Sequence, residues 1–396
     1  MGRPVVKVIT GLRRSGKSCF LKQIMDWLKA SCGVPASRIS FVDKESLEFE
    51  KVASANDLYA LAKRRKRGGQ KNKSYLFVDE IQEIVGWEKA IAALSARADM
   101  DITITGSNAH LFSSELATRL SGRYIEFPIY TLDFAEFLQF RGKAAREPHE
   151  EFRNYLRFGG FPALHGFELK EDIVYQYVNG VYNTVLLKDI VRRHEVRNVS
   201  LLENIVRFAF DNIGHIFSAN RVSDYLKSQR MQIGVETVQN YLRYFLDAQI
   251  FYKASRFDVK GKKHLEIGEK YYLGEIGLRH ALLGYREGDI SGVLENVVYL
   301  ALKKRGYSVS VGKTNALEID FVATRERELI YVQVAYLLAD ARVVARETAP
   351  LRAIDDNYPK YILSLDREFG EDLDGIHRVN IVNFLLDKEN QGQTIK

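Results

Sequence analysis

The residues Val5 to Ile9 form an apolar run that breaks at once into GLRRSGKS, Gly11 to Ser18, and then into a stretch of helical character to about Lys29. Strand, glycine turn and helix in that order restrict the fold more than anything else in the chain. A buried strand must end in a tight loop whose backbone N–H groups face one small space, backed by the positive end of the following helix. Such a space suits phosphate oxygens. Gly11 and Gly16 permit the turn, Arg13, Arg14 and Ser15 fill the loop, and Lys17, Ser18 and Cys19 open the helix. In this pattern Lys17 reaches the β and γ phosphates and Ser18 holds magnesium. The expected ligand is ATP or GTP with Mg2+.

A second apolar run, SYLFVDE, ends in Asp79 and Glu80. Two carboxylates at the C-terminal edge of a strand, beside a phosphate loop, form a Walker B arrangement: Asp79 orients the water shell of magnesium and Glu80 polarises the attacking water. Strands are expected at Val5 to Thr10, Ile39 to Asp43, Tyr75 to Asp79, Ile102 to Thr105 and Tyr124 to Phe127, separated by helical stretches. This alternation requires a parallel α/β sheet covered by helices. The fourth strand runs into ITGSNAH, where Asn108 either senses the γ-phosphate or closes an ordinary turn. In RLSGRY, Arg123, or second to it Arg119, is positioned in sequence to neutralise charge on a transferred phosphoryl group across a subunit boundary. A plain surface arginine is the alternative for each.

At 396 residues the chain is too long for one core, so two or three domains are expected. With 46% apolar and 28% charged residues it is a folded, soluble type of sequence. No apolar run approaches the roughly 18 residues that span a bilayer. With a strand expected to begin at Val5, no signal peptide is expected. Cys19 and Cys32 are the only cysteines, which points away from a disulfide framework and towards a reducing cytoplasm. The net charge of +7 permits a polyanionic partner without requiring one.

The order GLRRSGKS, LFVDEIQ, ITGSN, LSGRYIEFPIYTLDFAEFL and FGGFPAL resembles the archaeal and bacterial AAA-type ATPases that carry a C-terminal domain of unknown function. The resemblance covers nearly the whole chain and places the arginine of its most specific block on Arg123. It departs from that block's usual "PLSF" at Thr131 to Phe134, and a second arginine sensor in the lid is not evident. The resemblance implies ATP and Mg2+ as cofactors and a homo-oligomer, a ring or partial ring.

Residues 131–197 read as a helical lid, interrupted by Gly159-Gly160-Phe161-Pro162, and end in Lys188, Arg192, Arg193 and Arg197 at helical spacing. Residues 198–284 read as three helices and a hairpin closed around Lys260-Gly261-Lys262-Lys263, the layout of a winged helix. Its third helix offers only Gln239, Asn240 and Arg243 for base recognition, whereas the hairpin lysines and His264 suit phosphate. A second basic run contains Lys63, Arg64, Arg65, Lys66, Arg67, Lys71 and Lys73. It is either a polyanion contact or a solvated loop. The expected partner is DNA, bound without sequence preference.

Residues 285–396 resemble the restriction-endonuclease-like fold: Glu295 in a helix, Asp320 in a strand with Glu318 beside it, and Gln333 in the next strand. Ala335 stands where the resemblance implies a water-activating lysine, so a degenerate, non-cutting domain is expected. The sequence therefore reads as a P-loop ATPase core at 1–130, a lid, a winged-helix module and a degenerate nuclease-like domain. Three roles stay open: a DNA-stimulated motor or remodeller, a nucleotide switch for protein partners, and an ATP-controlled nuclease.

Overall fold

A computed structural model describes residues 5–64, 73–97, 99–108, 120, 122–231, 233–314, 317–367 and 372–387, leaving aside the side chains of 64 and 264–267. Two compact units divide the chain, Met1–Ile129 with Asp247–Gln249 and Tyr130–Leu246 with Ile250–Lys396. Arg119 and most of the basic run around Lys66 lie outside the described residues.

The first unit is built on β1 (Val6–Thr10), β2 (Ile39–Asp43), β3 (Ser74–Asp79), β4 (Met100–Gly106) and β5 (Tyr124–Pro128), with α1 (Lys17–Ala30), α2 (Ala55–Arg64) and α3 (Trp87–Ser95). The strands pair in parallel in the order β2-β3-β4-β1-β5. Alternation along each strand gives the sheet two buried faces. Ile9 and Phe77 point to one side with Leu21, Met25 and Leu28 of α1. Val8, Leu76, Val78 and Ile104 point to the other, with Leu58 of α2 and Ile91 and Leu94 of α3. Because β4 lies between β1 and β3, the end of β4 comes between the glycine loop and Asp79.

The second unit begins with α4 (Phe134–Arg141), α5 (Pro148–Phe158) and α6 (Glu171–Thr184), the last continuing into a π-helical stretch, Val185–Arg192. The turn at Gly159-Gly160 needs both glycines. A Cβ on Gly159 would meet Glu275 Oε1 at 1.7 Å, and one on Gly160 would meet the Leu132 carbonyl at 2.2 Å. Glu275 is fully buried and takes hydrogen bonds from the N–H groups of Gly160 and Gly277 at 3.0 Å. Lys304 ties the start of α4 to the same unit through Asp133, at 2.9 Å, and Glu136. The helical segment expected as a lid thus packs with the C-terminal sheet in one compact unit.

Three helices follow, α7 (Val199–Asp211), α8 (Ala219–Ser228) and α9 (Val235–Asp247), then the hairpin β6 (Phe251–Asp258) and β7 (Lys263–Leu273). The hairpin is not a free-standing wing. β6 pairs in parallel with β8 (Ser308–Thr314), and β9 (Leu317–Arg325), β10 (Glu328–Val334), β11 (Lys360–Ser364) and β12 (Ile376–Asn380) complete a mixed seven-stranded sheet in the order β12-β11-β10-β9-β8-β6-β7. Aromatic packing explains the annexation. Tyr272 of β7 is fully buried and stacks on Tyr299 of α11 (Ile290–Lys304), ring centroids 4.2 Å apart, so the hairpin buries surface that a solvated wing would leave wet. Helices α10 (Ile276–Leu283), α12 (Ala341–Arg352) and α13 (Ile381–Leu386) complete this unit.

Candidate functional site

Gly11 follows β1 with a φ of 153°, and a Cβ there would lie 2.2 Å from the Ile129 carbonyl. Gly16 takes a φ of 106° at the N-terminus of α1. Both loop glycines are required by conformation, as the sequence pattern implies. Lys17 is buried, and its Nζ donates to the carbonyls of Gly11 at 2.9 Å and Leu12 at 3.0 Å, which holds the ammonium inside the loop. Arg14 is exposed at a positive φ of 67°, so its backbone, not its side chain, shapes the loop. Ser15 is buried in the loop and Cys19 is exposed on the first turn of α1.

Asp79 ends β3 and is buried beside Ser18. Burial pushes its carboxyl above the usual carboxylate range, while hydrogen bonds from Ser18 and Thr105 pull it back. This fits a divalent cation. A hydroxyl and a carboxylate meet there in a desolvated place where a cation would favour the ionised acid. Thr105 serves both acids: its hydroxyl donates to Asp79 Oδ1 and accepts from the Glu80 N–H at 3.1 Å. Glu80 is buried and adopts a left-handed backbone, φ 53° and ψ 52°. One of its oxygens accepts from Gln82 and from Ser107, the latter at 3.3 Å. Its other oxygen faces the Arg13 guanidinium at 4.0 Å.

Asn108 follows β4 and is buried, at the same end of the sheet as the loop, since β4 runs parallel to β1. Arg123 is elsewhere. It is exposed, its carbonyl accepts from Val6 N–H, and β5 runs parallel to β1, so it sits at the end of the sheet opposite Gly11. Five residues of strand, about 16 Å, separate those ends. Arg123 therefore does not join Lys17 and Glu80 within one chain.

Thr105, Ser107 and Gln82 escaped the sequence reading, although a threonine at the end of the alternating strand ITIT, just before a glycine, was a signal. Lys270 escaped it too. Glu295, Glu318 and Asp320 come together in the second unit around Lys270 of β7, whose Nζ lies 2.8, 2.9 and 3.5 Å from them. Ala335, which stands where the resemblance implies a lysine, is buried, and a lysine reaches these acids from the hairpin. Gln333 accepts from the Asp320 N–H at 3.3 Å and donates to Glu347 at 3.1 Å. Burial lowers Lys270, but Glu295, Asp320 and Glu318 outweigh it and hold the ammonium charged; burial and Glu295 push Asp320 up to about 8.

Loop, Walker B acids and the polar end of the adjacent strand define a Walker-type AAA ATPase domain. A family profile described as an AAA domain matches residues 3–138, and a second, a domain of unknown function (DUF8612), matches residues 149–289. An uncharacterized protein of Haemophilus influenzae is 37% identical over 385 residues, covering 96% of this chain and 94% of that one. The chain belongs to the family of that protein, and it carries an AAA domain followed by a central domain of unknown function. An uncharacterized protein of Methanocaldococcus jannaschii is 28% identical over 367 residues, 89% of this chain and 79% of that one. Among solved structures, a Walker-type ATPase of Pyrococcus abyssi is 16% identical with a TM-score of 0.49, covering 70% of this chain and 91% of that one. The Aeropyrum pernix ORC1 protein in complex with DNA is 13% identical with a TM-score of 0.32, covering 71% and 86%.

Proposed function

We propose that the chain is a magnesium-dependent ATP hydrolase whose turnover is coupled to DNA held by the second unit. The observation that carries the hydrolase reading is the convergence of Lys17, Ser18, Asp79 and Glu80 at one edge of the first sheet. Lys17 holds the β and γ phosphates, and Ser18 and Asp79 hold magnesium, which neutralises charge on the phosphate oxygens. Glu80, kept in place by Ser107, Gln82 and Thr105, orients the attacking water. Asn108 contacts the γ-phosphate from β4. Arg123 stabilises the transferred group in the site of a neighbouring copy, since within its own chain it lies at the wrong end of the sheet.

Support for DNA comes from charge. Lys260, Lys262 and Lys263 are exposed together at the β6–β7 turn. A hollow of about 740 Å³ at the α8–α9 turn is rimmed by Lys227, Arg230, Met231, Ile233 and Gly234. Lysines of this kind bind phosphate and carry little sequence information. A nucleotide-dependent switch for protein partners is favoured by one observation: Arg243 of α9 is engaged by Asn240 at 3.1 Å, which leaves that helix poor in groups for base edges.

ATP turnover measured with and without single-stranded, duplex and four-way-junction DNA separates the two. Faster turnover with any DNA supports coupling. ATP hydrolysis that no DNA alters, with no measurable DNA affinity, supports the switch.

A further inference from the structure

Arg13 belongs to the phosphate loop, yet its side chain is buried and turned towards acids. Its Nη2 donates to Glu45 Oε1 at 2.9 Å, just beyond β2, and its Nη1 lies 4.0 Å from Glu80 Oε1. A planar guanidinium is suited to bridging two carboxylates, and the tight contact with Glu45 fixes where it points. Glu80 needs such fixing. A carboxylate that is to aim a water must itself be held in direction, and the left-handed backbone of Glu80 sets only where its side chain starts. Ser107 and Gln82 hold one carboxylate oxygen; Arg13 faces the other.

We infer that Arg13 is a positioning residue for Glu80: anchored on Glu45, its guanidinium sets the direction of the Glu80 carboxylate and links it mechanically to the loop that receives the phosphates. This rests on reading Glu80 as the group that orients the attacking water. Arg13 itself touches no reacting atom. Its removal leaves the backbone N–H groups and Lys17 to bind nucleotide but lets the Glu80 carboxylate wander, and a misplacement of about 1 Å costs on the order of a hundredfold in rate.

The test uses the full-length protein with Mg2+, ATP and a fluorescent ADP analogue. Arg13→Ala is expected to lower kcat by roughly tenfold to a hundredfold while nucleotide Kd stays within about twofold. Arg13→Lys, which keeps charge and fold, should recover part of the loss. In a Glu80→Gln background, Arg13→Ala should add no further loss, because the residue it positions is already disabled. A raised Kd with unchanged kcat would make Arg13 a phosphate ligand and overturn the inference. So would losses that multiply in the double variant. Equal turnover by wild type and Glu80→Gln would instead sink the reading of Glu80, a failure distinct from that of Arg13. Should Arg13→Ala not fold, Arg13→Lys decides alone: kcat equal to wild type in a folded Arg13→Lys protein, with an unaltered Kd, counts against positioning by the fork.

Discussion

On the proposed reading Lys17 and Glu80 act at different stages of one reaction, and their surroundings separate them. The ammonium of Lys17 sits in the loop, where it is proposed to meet phosphates in the ground state, whereas Glu80 is proposed to act on water. Lys17→Ala should therefore abolish measurable ATP affinity, and Glu80→Gln should keep affinity but lower turnover by roughly two orders of magnitude or more. Nucleotide titration followed by single-turnover hydrolysis checks both. Single residues also decide stability. Gly160→Ala drives a methyl onto the Leu132 carbonyl, whose residue also donates its N–H to the Gly160 carbonyl at 2.8 Å. The expected cost is about 2–4 kcal/mol, read as a shifted denaturant midpoint. Gly166, with open space around its would-be Cβ, supplies the control: Gly166→Ala should shift the midpoint little. The glycine pattern FGGFPAL was legible as a helix break, but its cause was not, because the crowding partner, Glu275, lies far along the chain.

Among the elements, those with strong local signals were legible and those fixed by distant packing were not. GLRRSGKS and SYLFVDE place their strands, loop and acids without help from tertiary structure, since glycine conformation and strand alternation are local. The hairpin is the opposite case. Its strands follow from their apolar pattern, but whether they form a wing or a sheet edge depends on Tyr299, which sequence spacing does not connect to Tyr272. The lysine among Glu295, Glu318 and Asp320 was hidden for the same reason. Lys270 occupies the centre of these acids, where a divalent cation would have to sit, so protein incubated with DNA and magnesium or manganese should leave the DNA intact. Cleavage that vanishes in Glu295→Gln while ATP binding survives would contradict this. Glu275, at the mouth of α10, gives the elements a pH dependence. Burial raises it to about 7 from an ordinary value of 4.5, against hydrogen bonds from Gly277, Thr131 and Gly160. The folded state holds this proton more tightly, so the stabilisation is complete below the ordinary value and lost as pH rises through about 7. The melting temperature should fall between about pH 5 and pH 8, by a free energy on the order of 3 kcal/mol from this group. Asp320 acts in the same direction, so Glu275→Gln should flatten the fall without removing it.

For the whole molecule, the role proposed for Arg123 ties chemistry to assembly. If Arg123, at the far end of its own sheet, serves the site of another copy as proposed, turnover per subunit should rise with protein concentration, and Arg123→Ala should slow turnover at unchanged ATP affinity. Mixing Arg123→Ala with Glu80→Gln protein should restore part of the activity; no recovery, with turnover independent of concentration, would remove the arginine from the mechanism. DNA affinity, if carried by Lys260, Lys262 and Lys263, should fall steeply with salt and fall again when these are neutralised, with no dependence on sequence. Beneath all of these predictions stands the proposed hydrolysis of ATP at the Walker site. The most direct measurement is steady-state phosphate release by wild type and Glu80→Gln at saturating ATP and Mg2+, with ATP occupancy matched by binding. Hydrolysis by the wild type, lowered roughly a hundredfold or more in the variant at equal occupancy, is the predicted result; equal rates in the two proteins would contradict the account.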